Sequence, residues 1–238
     1  MTDLEILGDP DALARRVADW LLGLALSKDG ILAVALSGGS TPQRLYQTLV
    51  TSPYREALPW SRIHWFWGDE RFVPTTDALS NYRMAWEAML SHAPIPARNI
   101  HRIPTEGCSP ESAAASYEGD LKAFYGAPQF DRARPLFDIV LLGLGPDGHT
   151  ASLFPGTTAL QRTERWVVAV GGAKAEPRIT LTYPALESSR QLAFLVAGAE
   201  KRPILGRLLR ADADLPAARV RPLGASRVFA DAAAGPAA

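Results

Sequence analysis

The sequence predicts an α/β protein: a three-layer αβα sandwich built on an open, mostly parallel sheet. Three observations predict it. Short apolar runs such as ILAVAL (31–36) and FDIVLL (137–142) have the unbroken hydrophobicity of strands buried on both faces. Between such runs lie segments with apolar residues at helical spacing. The two kinds alternate along the chain, the pattern of parallel strands joined by crossover helices. With 238 residues, 47% of them hydrophobic, the chain has material for a sizeable core. It reads as a single domain over 1–238.

The first helix is expected over Asp11–Leu26, where Leu13, Val17, Trp20, Leu21 and Leu24 mark one face and Asp9 or Asp11 stands as a cap. The strand Ile31–Leu36 follows, then a helix over Thr41–Leu49, with Thr41 as cap and Pro42 at the first position. Arg62–Trp67 reads as a strand, Ser80–Leu90 as an amphipathic helix and Ser112–Tyr125 as another. After the strand Phe137–Leu142 come three more, Trp166–Val170, Arg178–Leu181 and Gln191–Val196, each expected in the same sheet. A helix over Lys201–Leu209 and a closing strand over Ser226–Ala230 complete the reading. Residues 94–104 and 211–216 read as surface loops, and the Ala-Gly-Pro stretch 231–238 as a frayed tail.

Composition excludes several classes. The 25 basic and 25 acidic residues cancel, against a general nucleic-acid binder or a polybasic membrane surface. No run approaches the roughly 20 apolar residues of a membrane span, and the acidic start is unlike a signal peptide. The single cysteine, Cys108, allows no intrachain disulfide and no cysteine-based zinc site. A cytoplasmic protein is expected, a monomer or small homo-oligomer, with no nucleic-acid or membrane partner.

In parallel sheets of this kind ligands sit at the carboxyl ends of the strands, so the segments that follow each strand carry the functional argument. After ILAVAL comes Ser37-Gly38-Gly39-Ser40-Thr41-Pro42. Two readings fit: a tight strand-to-helix turn, or an anion site made by free amides at a helix start. No Gly-Lys-Ser/Thr follows, which argues against a nucleotide triphosphate. After the aromatic strand comes Gly68-Asp69-Glu70-Arg71, where Arg71 either clamps a phosphate or carboxylate or pairs locally with Asp69 or Glu70. Ser80-Asn81 reads as a helix cap.

After FDIVLL the chain runs Gly143-Leu144-Gly145-Pro146-Asp147-Gly148-His149-Thr150. This matches a dinucleotide fingerprint in form only, because Pro155-Gly156 interrupts the helix that such a site requires and no acid ends the next strand. The alternative is a glycine-framed loop that presents Asp147 and His149. Histidine titrates near neutrality and takes a proton from water, and a neighbouring carboxylate holds its orientation. No further ligand stands at metal spacing. The nucleophile elbow Gly-x-Ser-x-Gly is absent, which discounts an acyl-enzyme. Arg178 opens a strand and Lys201 opens a helix, each able to add positive charge to the same sheet edge.

Taken together, LSGGSTP (36–42), GDERFVP (68–74), SNY (80–82), GLGPDGHTASLFP (143–155), PRITLTYP (177–184) and GAEK (198–201) resemble the 6-phosphogluconolactonase family. The resemblance spans most of the chain and implies an open Rossmann-like sheet of the glucosamine-6-phosphate deaminase-like type. The related deaminases share parts of the pattern, but where they carry a glutamate that assists ring opening this sequence has Phe154, which cannot shuttle a proton. A sugar-phosphate sensor domain would share the fold, yet its fused helix-turn-helix has no room before Ile31.

The resemblance implies hydrolysis of 6-phospho-D-glucono-1,5-lactone to 6-phosphogluconate, in the oxidative pentose phosphate pathway, with the sugar-phosphate lactone as the only small-molecule partner. His149 would be the general base on a water, with Asp147 either orienting its ring or holding a substrate hydroxyl. Gly38, Gly39, Ser40, Thr41, Asp69, Arg71, Arg178 and Lys201 would bind the substrate, the cations dividing phosphate and carboxylate between them. Opening an activated ester demands neither redox cofactor nor Lewis acid, so no cofactor and no metal are expected.

Overall fold

The computed structural model describes residues 3–236. Its strands are β1 (Asp3–Leu7), β2 (Leu32–Leu36), β3 (Ile63–Trp67), β4 (Asp69–Arg71), β5 (Ile100–His101), β6 (Phe137–Leu142), β7 (Val167–Val170), β8 (Arg178–Leu181), β9 (Ser189–Val196) and β10 (Ala225–Asp231). The helices that matter below are α1 (Pro10–Ser27), α2 (Ser40–Leu49), α3 (Tyr54–Ala57), α4 (Asn81–Ala85), α5 (Pro110–Tyr125), α6 (Tyr183–Glu187), α7 (Arg202–Leu209) and α8 (Pro216–Arg219). A seven-stranded sheet in the order β1-β10-β9-β6-β2-β3-β5 forms the frame, and every pairing in it is parallel. At its centre β2 and β6 are buried at every position, which is why their sequences carry no polar alternation.

Most helices begin where local chemistry puts them. Asp9 caps α1, its carboxylate accepting from the Ala12 amide at 2.7 Å. Ser109 caps α5, Pro110 takes its first position, and Gly126 closes it in the left-handed region at φ 77°. Ser80 caps α4 through the Arg83 amide at 3.1 Å, after which Trp86–Leu90 widens into a π-helical turn. The expected Thr41 cap is corrected: α2 starts at Ser40 behind Gly39, whose φ of 102° a side chain would oppose, and Pro42 falls at the third helical position instead of the first.

The sheet assignment of two strands is also corrected. β7 and β8 lie outside the parallel sheet and pair antiparallel with each other and with β4, in a second sheet of order β4-β8-β7. The link between them, residues 171–177, is too short for the dozen or more residues of a parallel crossover, so a hairpin is the available geometry. β1, β4 and β5 are additions to the expected elements, and the loop 94–104 thus contributes an edge strand. The segment expected to fray from 231 is packed through its first residues: Asp231 ends β10 and accepts from the amides of Gly198 and Ala234, and Ala234 is fully buried. Residues 237–238 lie outside the described part. Among the described residues no helix is long and apolar enough to cross a membrane.

Candidate active site

The carboxyl ends of β2, β3 and β6 open on one edge of the parallel sheet, and the segments leaving them surround a cavity of about 320 Å³. The turn after β2 is fixed from below. Tyr46, buried in α2, accepts from the Ser37 amide at 2.9 Å and donates to the Ser37 carbonyl at 2.8 Å. Glycine at 38 makes room for Asn81: a Cβ there would stand 2.0 Å from the Asn81 side-chain oxygen, and Asn81 would have to move. Gly38, Gly39, Ser40 and Thr41 all line the cavity, with the N-terminus of α2 directed at it.

After β3 the chain crosses to the second sheet: the Gly68 amide donates to the Leu36 carbonyl and the Gly68 carbonyl accepts from Leu181, each at 2.8 Å. This places Asp69 on the cavity and turns Glu70 away from it. Glu70 is buried and accepts from the amides of Arg71, Asn81 and Tyr82, each at 2.7 Å, and from the Ser80 hydroxyl at 3.2 Å. The local ion pair between Glu70 and Arg71 is therefore replaced by a carboxylate that organises the start of α4. Asp69 accepts from the Ser152 hydroxyl at 2.6 Å, and its backbone carbonyl accepts from the Asn81 amide group at 2.9 Å.

Arg71 and Arg178 face each other across the β4–β8 pairing. Arg71 donates through Nη1 to the Leu79 carbonyl at 2.6 Å. Arg178 is more exposed to electrostatic cost: its Nε and Nη1 are buried without a partner, and its nearest carboxylate, Glu176, is 3.7 Å from Nη2. Burial, then the neighbouring Arg71, lower its pKa, partly offset by Asp69, Glu176 and Glu70. Two facing guanidiniums, one of them with buried N–H groups that no protein atom accepts, match a bidentate anion such as phosphate. Lys201 reaches the same cavity from the turn after β9 and donates to the Leu144 carbonyl at 2.8 Å.

On the loop after β6, His149 packs flat against Gly145, where a Cβ would meet the ring at 2.0 Å. Its Nδ1 donates to Asp147 Oδ1, and its backbone amide donates to the same oxygen at 3.2 Å. Partial burial raises the Asp147 carboxyl, but the hydrogen bonds from His149 outweigh it and the net pKa is lowered. A carboxylate on Nδ1 leaves Nε2 as the unprotonated, accepting nitrogen of the neutral ring. The Phe154 ring lies against the imidazole with centroids 4.5 Å apart.

Of the ten residues predicted from sequence, nine line this cavity. Asp147 alone lines the adjoining cleft, hydrogen-bonded to His149. Asn81, Ser152 and Lys174 are further lining residues that sequence reasoning missed. Asn81 stood in a motif taken for a cap, and the other two enter only because of the second sheet. No group of three or more histidine, cysteine or acidic side chains is arranged to hold a metal among the described residues.

The profile of a family described as glucosamine-6-phosphate isomerases/6-phosphogluconolactonase matches residues 8–229. The chain belongs to that family. Among curated relatives, a 6-phosphogluconolactonase of a Nostoc strain is 42% identical over 98% of this chain and 96% of its own. A 6-phosphogluconolactonase of a Synechocystis strain is 45% identical over 84% and 82%. The crystal structure of 6-phosphogluconolactonase from Thermotoga maritima superposes with a TM-score of 0.81 at 33% identity, covering 97% of this chain and all of that one. The likeness to that structure extends over the whole fold, the parallel sheet included.

Proposed function

We propose that this protein hydrolyses 6-phospho-D-glucono-1,5-lactone to 6-phosphogluconate, with His149 as the general base. The observation that carries the reading is one cavity holding both an imidazole hydrogen-bonded to a carboxylate and a pair of facing guanidiniums, of which Arg178 keeps Nε and Nη1 buried without a partner. The names of the relatives point the same way. Arg71 and Arg178, with the amides at the start of α2, hold the phosphate. That remote binding energy fixes C1 against the attacking water.

Nε2 of His149 takes a proton from water as the water oxygen bonds to C1 and the carbonyl pair moves to oxygen. The tetrahedral oxyanion then collapses, the bond from C1 to the ring oxygen breaks, and the imidazolium returns its proton to that oxygen. The acid so formed ionises to solvent. Asp147 holds the ring in the required tautomer and offsets the charge of the imidazolium. General-base assistance of this kind contributes about 10²–10⁴-fold.

Deaminase chemistry is not favoured, because Phe154 fills the place against His149 where a proton-carrying side chain is needed. Because the lactone also opens unaided, the test is a time course of acid release with and without protein. Acceleration above the background, with no ammonia released from glucosamine 6-phosphate, is expected. No acceleration, or ammonia release, would overturn the reading.

A further inference from the structure

Three of the cavity's four cations are anchored. Arg71 and Arg178 are held by the β4–β8 pairing and Lys201 by the Leu144 carbonyl. The fourth, Lys174, sits on the hairpin loop between β7 and β8, exposed, with its ammonium 5.2 Å from the centroid of the Phe154 ring. The same ring lies against the His149 imidazole, with centroids 4.5 Å apart. Phe154 therefore ties Lys174 to the base, whereas strand register ties the two arginines to each other. The loop begins with Gly171 and Gly172, the latter at φ 76°, with open space around both.

The reaction changes the charge at one end of the substrate only. C1 begins as a neutral ester, becomes an oxyanion and ends as a carboxylate, while the phosphate is unchanged. A cation seated on the aromatic ring beside the base is placed for that new charge. We propose that Lys174, carried on Phe154, is a further substrate-binding residue that meets the charge developing at C1 and then the product carboxylate, not the phosphate. The proposal rests on the lactonase reading above. A positive charge there also favours return of the proton from the imidazolium to the leaving ring oxygen, since two cations side by side repel.

The test compares two ligands that differ only at C1: 6-phosphogluconate, and glucitol 6-phosphate, which has an alcohol in place of the carboxylate. Their affinities for the intact protein are measured by calorimetry, for wild type and for Lys174→Met, a substitution at an exposed position. The wild type is expected to prefer the carboxylate. Lys174→Met should weaken 6-phosphogluconate by about tenfold to a hundredfold, the worth of a charge-assisted hydrogen bond, and leave glucitol 6-phosphate unchanged. Equal weakening of both would make Lys174 a phosphate ligand and overturn the proposal, as would no weakening of either or no wild-type preference. If the wild type bound neither ligand and did not open the lactone, the functional reading itself would fall.

Discussion

His149 and Glu70 show how two polar side chains of one protein serve opposite ends. The His149 ring has one nitrogen committed to Asp147 and the other free, so its removal should act on turnover. His149→Ala is expected to lower kcat about a hundredfold or more with a smaller change in KM, read from initial rates after subtraction of spontaneous hydrolysis. Glu70 has both oxygens committed, one to the amides of Arg71 and Asn81 and the other to Tyr82 and Ser80. In Glu70→Gln either oxygen replaced by an NH₂ group faces a backbone donor. A loss of about 1–3 kcal/mol is expected, seen as a lower urea midpoint at unchanged slope. The residues legible from sequence at this scale were those in glycine-rich or charge-rich loops directly after buried strands. Lys174 and Ser152 were not, because each comes near Phe154 or Asp69 only through a tertiary pairing that no local pattern announces.

At the scale of elements, the strands read correctly in the parallel sheet were β2, β3, β6, β9 and β10, and the clearest signal came from the apolar runs of β2 and β6, buried at every position. Short or marginal strands escaped: β1 is half-exposed, β4 is charged, and β5 has two residues. β5 nonetheless brings a property of its own. It sets His101 beside His64 of β3 with ring nitrogens 2.9 Å apart, and stacks it on Phe66 at 4.3 Å. Burial first, then the neighbouring His64, depress the His101 pKa from 6.5 to about 4. Burial and Arg98 lower that of His64 as well. The unfolded chain therefore takes up protons below pH 6.5 that the folded pair refuses, so stability is complete above that pH and declines as pH falls toward 4. Urea midpoints measured between pH 7 and 4.5 should show this decline, and His101→Gln should flatten it.

Across the whole molecule, the parallel sheet supplies the backbone ends and the small antiparallel sheet supplies Asp69, Arg71 and Arg178, so the cavity exists only where the two meet. The chemistry proposed for it is the opening of an activated ester by a base and water. Exhaustive treatment with a chelator should accordingly leave the rate of lactone opening unchanged, and a loss restored by zinc would refute that. The pairing of β1 with β10 at the far edge has a different bearing, on the order in which the chain is made. At about 5–20 residues per second on the ribosome, Asp3–Leu7 emerges long before Ala225–Asp231, the one strand that it pairs with among the described residues. β1 can thus dock only after β10 is made, and until β10 is in place the flank of β9 remains an unprotected template for any neighbouring nascent chain.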